Sequence, residues 1–267
     1  MKIDLSGKIA LITGSTKGIG YATAEAMASS GAHVIIHGRK DETVKAAAAK
    51  LAASQPDAKI STAYGDLGTS EGTKGLVSQL AAIGDVDILV NNAAIFEPKE
   101  FFDIPDEDWM DIFETNVLSG VRLSRALMPK MLEKNWGRII FISSESALNI
   151  PKEMVHYGMS KTAQLSVSRG IAEYTKGTNV TVNSVLPGPT RSDGVLGFID
   201  QIAEQSGQSS DDIIGGFIDA MRPTSLIARF ADPAEVAAMV TFIASPLASA
   251  TNGAALRVDG GVVKHVA

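Results

Sequence analysis

Short apolar runs alternate with tracts of helical periodicity along almost the whole chain, and this alternation constrains the fold more than any other feature. The runs lie at Lys8–Thr13, His33–His37, Lys59–Tyr64, Val86–Val90, Arg138–Ser143, Val180–Leu186 and Ala255–Val258. Between them lie an alanine-rich tract closed by Gly31, then tracts over Asp41–Ser54, Ser70–Ile83, Asp106–Met131, Val155–Thr175 and Pro233–Ser245. Asp41 and Asp232 are placed to cap their helices, and Pro129 to distort the last turn of its own. Nearly continuous apolar runs suit parallel strands covered on both faces. The pattern predicts an α/β chain, three layers deep and doubly wound, with a central parallel sheet of about seven strands. No linker or repeat divides residues 1–267, which are read as one domain. An insertion at about 189–222 breaks the rhythm with Gly207, Gly215 and Gly216 and is read as short helices and a candidate lid.

Bulk composition narrows the function. A net charge of -6 speaks against nucleic acid or an anionic membrane surface as partner. The absence of cysteine excludes disulfides, thiolate nucleophiles and Cys-ligated zinc. His33, His37, His156 and His265 lack metal-ligand spacing, so no metal is expected. No apolar run reaches transmembrane length, and a cytoplasmic location is the default expectation.

The first strand turns into the first helix through TGSTKGIG, Thr13 to Gly20. Gly14, Gly18 and Gly20 permit a tight turn and let a pyrophosphate approach N–H groups at the helix N-terminus. Ser15, Thr16, Lys17 and Ile19 belong to the same candidate dinucleotide loop. The second strand ends in His37-Gly38-Arg39-Lys40, with no acid until Asp41. A carboxylate there would repel a 2′-phosphate, whereas Arg39, with Lys17, can bind one. The expected cofactor is therefore NADP(H), with NAD(H) the alternative. Asp66-Leu67 follows the third strand, where an aspartate can meet an adenine amino group or serve a turn. Asn91-Asn92-Ala93-Ala94 closes the fourth strand with amides that can tie strand ends together and small residues that allow close approach.

Tyr157 and Lys161 stand four apart on one helix face, downstream of the pair Ser143-Ser144. An ammonium near a phenol lowers its pKa from about 10, which makes the tyrosine an acid or base usable at neutral pH. Taken in order, these motifs resemble the short-chain dehydrogenase/reductase family in its single-domain Rossmann form, the acyl and carbonyl reductases included. TGSTKGIG is similar to the family's TGxxxGIG, Asn91 to Ala94 to NNAG with Ala94 for glycine, and Tyr157 to Lys161 to YxxxK. Asn116 resembles the family's helix asparagine, Asp66 its adenine-contacting aspartate, and Pro187-Gly188 with Thr190 its PG and Thr segment. Ser144 stands at the family's spacing of thirteen residues before the tyrosine.

The resemblance implies hydride transfer between nicotinamide and a ketone or secondary alcohol. Tyr157 would donate the proton and Ser144 orient the carbonyl oxygen. Lys161 would tune Tyr157 and hold the nicotinamide ribose, and Asn116 would position a water-linked proton path to Lys161. Asn92, Ala93, Ala94, Leu67, Pro187, Gly188 and Thr190 would contact the cofactor. His156 is read as a pocket-lining or surface residue. The resemblance also implies a homotetramer, or a homodimer, paired through the long helices. Ile213, Ile214, Phe217, Ile218 and Met221 fit one helix face, which packs on the core or closes over a substrate. With Val195, Leu196, Phe198, Ile199, Phe96, Phe101, Phe102, Ile150 and Met154, they point to a small-molecule substrate with an apolar part. An NAD-dependent alcohol or polyol dehydrogenase and a non-catalytic dinucleotide-binding protein remain as rival readings.

Overall fold

β1 (Ile9–Ile12), β2 (His33–Gly38), β3 (Ile60–Tyr64), β4 (Ile88–Asn91), β5 (Gly137–Ile142), β6 (Val180–Pro187) and β7 (Ala255–Val258) form one seven-stranded sheet. Their order is β3-β2-β1-β4-β5-β6-β7, and every pairing is parallel. This is a computed structural model, and it describes residues 2–206 and 209–266. Gly207 and the side chain of Phe198 lie outside the described residues.

The period of two along each strand sends side chains to opposite faces. Ala10, Ile12, Val34, Ile36, Val90 and Ile140 pack on one side against α1 (Gly18–Ser29), α2 (Asp41–Ser54) and α9 (Pro233–Ala244). Leu11, Ile35, Leu89, Ile139, Phe141 and Val182 pack on the other against α3 (Ser70–Leu80), α5 (Ser119–Glu133) and α6 (Val155–Ala172). The chain runs outward through β1, β2 and β3 and then returns to β4 on the far side of β1. That reversal opens a crevice beyond the carboxyl ends of β1 and β4, where open α/β sheets bind their ligands.

Several expectations are corrected. The tract over 106–131 is two helices, α4 (Asp106–Phe113) and α5, joined by a π turn at Glu114–Leu118 that holds Asn116 in the interior. Pro129, expected to distort the last turn, lies inside α5 on its exposed face, where water can take the carbonyl it leaves unpaired. Asp41 is not a cap. Lys40 holds that position, and Asp41 sits in the first turn paired with Lys45 at 2.6 Å. The insertion forms two full helices, α7 (Asp193–Ser206) and α8 (Ser210–Met221), instead of short ones. Ile199, Ile213, Ile214, Phe217 and Ile218 pack together with Phe230, so most of the stripe builds a small core of its own.

Candidate active site

The glycine loop is held by side chains at the ends of β1 and β4 that bond to main-chain groups. Thr13 Oγ1 accepts from the Asn92 and Ala93 N–H groups, each at 2.9 Å, and donates to the Val90 carbonyl at 3.2 Å. Asn92 Nδ2 returns bonds to the carbonyls of Thr13 at 2.8 Å and Gly14 at 3.1 Å. Gly14 has φ +62°, where a side chain is strained, and a Cβ on Gly20 would lie 2.4 Å from the Gly14 carbonyl. The crossing of loop and strand thus needs glycine at both places.

Beyond the loop lies a groove of about 540 Å³ lined by Gly14, Thr16 to Gly20, Arg39, Asp66, Leu67 and Asn92 to Ala94. It runs from the N-terminus of α1 past the end of β2, a shape and a donor set that fit a dinucleotide. Arg39 and Lys17 are exposed at its rim. Asp66 also lines it, with one carboxylate oxygen accepting from the Gly68 N–H at 3.0 Å. Ser15 is a correction. It is wholly buried, and its hydroxyl is spent on the Ile12 carbonyl at 2.7 Å and the His37 N–H at 2.9 Å, so it splices β1 to β2 and faces no ligand.

His37 was not singled out as a site residue by the sequence, yet its Nδ1 accepts from the Gly14 N–H at 3.2 Å. Burial pushes its pKa down to about 4, so at neutral pH it stays uncharged and able to accept. Asp193, at the start of α7, places a carboxylate oxygen 2.9 Å from the Gly18 N–H, at the N-terminus of α1.

A second cavity of about 240 Å³ adjoins the groove, sharing Ile19, Asn92, Ala94 and Ser192 with it. Ser144, Tyr157 and Lys161 meet in its wall, and Pro187, Gly188 and Thr190 line it instead of the nucleotide groove. The pair of serines is resolved by their bonds. Ser143 Oγ donates to the Lys161 carbonyl at 2.9 Å, whereas Ser144 hydrogen-bonds Tyr157.

Burial pushes the Tyr157 phenol up to about 12, against the downward pull of the Ser144 hydrogen bond. The expectation that Lys161 lowers it is not met here. The Lys161 Nζ lies 5.5 Å from the centre of the phenol ring and donates to the Ile142 carbonyl at 2.9 Å and Gln164 Oε1 at 3.4 Å. Burial pulls Lys161 itself down to about 7. Asn116 lines neither space. Its side chain bonds Ile95 N–H at 2.8 Å, the Ile95 carbonyl at 2.9 Å and Ser160 Oγ at 3.0 Å, and only its main-chain carbonyl reaches toward Lys161, through Gln164 at 2.6 Å.

The walls of the cavity also depart from expectation. Phe96 and Met154 line it with Val195, Phe217 and Phe230. Phe101, Phe102 and Ile150 do not. They lie on the surface, Phe102 at 94% exposure. His156 is neither surface nor pocket-lining, since it is buried edge-on against Trp109 with centroids 5.8 Å apart. Two charged residues that the sequence reading passed over complete the wall. Glu145 follows Ser144, and Arg222 follows α8; their side chains pair at 2.7 Å and both are buried. Burial raises the Glu145 carboxyl above its usual range against the pull of Arg222, and Oε2 has no partner. Adjacency to Ser144 was the one signal available for Glu145. Arg222 carried none. Among the described residues no His, Asp and Glu cluster can hold a metal, and no helix is long and apolar enough to cross a membrane.

Residues 8–200 match the family model described as short chain dehydrogenase. The chain is a short-chain dehydrogenase/reductase. Across its full length it is 49% identical to the whole of an uncharacterized oxidoreductase, YvaG, of Bacillus subtilis (strain 168). It is 32% identical to the 3-oxoacyl-[acyl-carrier-protein] reductase FabG of Aquifex aeolicus (strain VF5), covering 98% of this chain and all of that one. Its fold superposes on L-sorbose reductase from Gluconobacter frateurii, solved with NADPH and L-sorbose, with a TM-score of 0.94 at 31% identity and full coverage of both. Membership makes this short-chain dehydrogenase/reductase an oxidoreductase.

Proposed function

We propose that the protein is an NADP(H)-dependent reductase of a small ketone, or in reverse a dehydrogenase of the matching secondary alcohol. The observation that carries this reading is the meeting of Ser144, Tyr157 and Lys161 in one cavity that opens onto the glycine-loop groove. Ile19, Asn92 and Ala94, which line both spaces, would hold the nicotinamide, and that group would supply the hydride chemistry. The protein supplies position and charge. Ser144 and Tyr157 both donate to the carbonyl oxygen, and Tyr157 gives up its proton as negative charge builds there. A phenol raised to about 12 is a reluctant acid, so the positive charge of Lys161, 5.5 Å from the ring centre, would be what favours the transfer, and Lys161 would also hold the nicotinamide ribose.

The phosphate-bearing cofactor is favoured by the rim of the groove. Arg39 makes no ion pair among the described residues, and the next acid along the chain, Asp41, is held by Lys45 outside the groove lining. The NADPH-bound sorbose reductase supports the same choice. A cavity of about 240 Å³ suits a small ketone better than a steroid, and its apolar wall of Phe96, Met154, Val195, Phe217 and Phe230 suits a substrate with an apolar part. The segment at 189–222 acts as the cover of that cavity. Exposed Phe101, Phe102 and Met110 support self-association through the α4–α5 face, as a dimer or tetramer.

The test is oxidation of NADPH against a panel of acyl, cyclic and polyhydroxy ketones. Tyr157→Phe is expected to lower kcat by roughly 100- to 10,000-fold with NADPH affinity changed less than about threefold. Near wild-type turnover in that variant would remove Tyr157 as the proton donor.

A further inference from the structure

Gln164 was not among the residues that the motifs single out. It stands three residues after Lys161, on the same face of α6, and is buried with 2% of its surface accessible. Its Nε2 donates to the main-chain carbonyl of Asn116 at 2.6 Å, and its Oε1 accepts from Lys161 Nζ at 3.4 Å. The opposite orientation of the amide would set its oxygen against the Asn116 carbonyl and its NH2 against the ammonium, so chemistry fixes the one described. A separation of 2.6 Å leaves no room for water between the amide and the carbonyl.

We propose that Gln164 is a positioning residue that joins Asn116 to Lys161 through its own side chain, in place of a solvent link, and holds Lys161 as the ammonium. The two hydrogen bonds run in one direction, from ammonium N–H to amide oxygen and from amide N–H to peptide oxygen. Each polarises the other, so the partial negative charge facing Lys161 exceeds that of an isolated amide. An amide exchanges no proton at neutral pH, so this connection stabilises charge without conducting a proton away from it.

The surroundings give Lys161 little else. β5 contributes the Ile142 carbonyl at 2.9 Å, α6 the Tyr157 phenol, and the loop after β5 the hydroxyls of Ser143 and Ser144. Asn92 and the Pro187-Gly188 segment line the same cavity and bring no charge. Glu145 and Arg222 act on Tyr157, and no charged side chain offsets the burial that pulls Lys161 down. Burial favours the neutral amine, and the Gln164 oxygen works against it.

This inference rests on reading Lys161 as the group that serves Tyr157, and its test separates the two. Gln164→Leu keeps the volume and removes both bonds, while Gln164→Glu puts a formal charge beside Lys161. The pH at which kcat falls on the alkaline side is expected to drop by about one unit in Gln164→Leu and to rise by about one unit or more in Gln164→Glu. A Gln164→Leu profile that superposes on wild type, with only thermal stability reduced, would overturn the proposal. If Gln164→Leu does not fold, Gln164→Glu decides alone, and an unmoved profile there counts against it. If no ketone is turned over, the same shifts are read by NMR titration of 13Cε-labelled lysine, with Lys161→Met assigning the signal. Opposite shifts of that signal in the two variants uphold the role of Gln164 even where the reductase reading fails, and equal titration in all forms rejects it.

Discussion

The groove at the ends of β1 and β2 and the cavity beneath α7 and α8 are neighbours made of different materials. Much of what the groove presents is main chain: the Gly14 turn, the N–H groups at the start of α1, and strand ends stitched by Thr13 and Asn92. The cavity presents side chains brought from distant parts of the chain, with Glu145 and Arg222 separated by 77 residues. A backbone site tolerates change in most side chains but not a Cβ at Gly20. A side-chain site can be remodelled by substitutions on α8 and the Phe230 segment, which do not line the groove. The difference teaches why one cofactor chemistry can serve many substrates on this architecture.

The contrast can be broken most forcefully at Arg222. Replacing it with Met leaves the Glu145 carboxylate buried without its partner, which costs about 3–5 kcal/mol. Thermal denaturation is expected to show a Tm lower by about 6–20 °C, with NADPH affinity in the surviving folded protein nearly unchanged. The double variant Glu145→Gln with Arg222→Met is expected to recover much of the loss. An equal loss of cofactor affinity in Arg222→Met would show that cavity and groove are one cooperative unit.

Arg39 probes the groove in return. Arg39→Ala is expected to weaken NADPH by about 10- to 100-fold and NADH by less than about twofold, measured by fluorescence titration. Equal losses would deny Arg39 a 2′-phosphate contact. The smallest effect is that of pH on the groove. The folded pKa of His37, about 4, lies below the unfolded value of about 6.5, so its contribution is complete above pH 6.5 and is lost as pH falls toward 4. At pH 5.5 this amounts to about 1.4 kcal/mol. His33 and His156 are lowered as well and act in the same direction. Melting curves at pH 7 and 5.5 are expected to differ by a few degrees, and His37→Asn to remove the larger part of that difference. A wild-type curve unchanged between the two pH values would contradict it.

Legibility followed the same division. β7 and α2 were read to the residue, because apolar periodicity and Gly or Pro punctuation act locally. Tyr157 and Lys161 were legible because four residues make about one helical turn, and Ser144 was legible only through the family resemblance. Ser15 was misread because position in a glycine-rich loop says nothing about which way a hydroxyl points, and here it points into the β1–β2 seam. The π turn was missed because the tract was read as one helix: an extra residue turns the face by roughly 100°, but α4, at eight residues, is too short to fix a phase of its own. Arg222, Gln164 and His37 were invisible for a simpler reason. Each owes its place to a partner far away in sequence, and only the fold supplies the partner.

The Gly18 N–H that donates to Asp193 has a single hydrogen to give. A diphosphate oxygen at the N-terminus of α1 would compete with the Asp193 carboxylate for it, and their negative charges would repel. A bound nucleotide would therefore loosen the first turn of α7 at one end, while the Arg222–Glu145 pair would still anchor the end of α8 at the other. The segment over the cavity is thus fastened at both ends, to Gly18 through Asp193 and to Glu145 through Arg222.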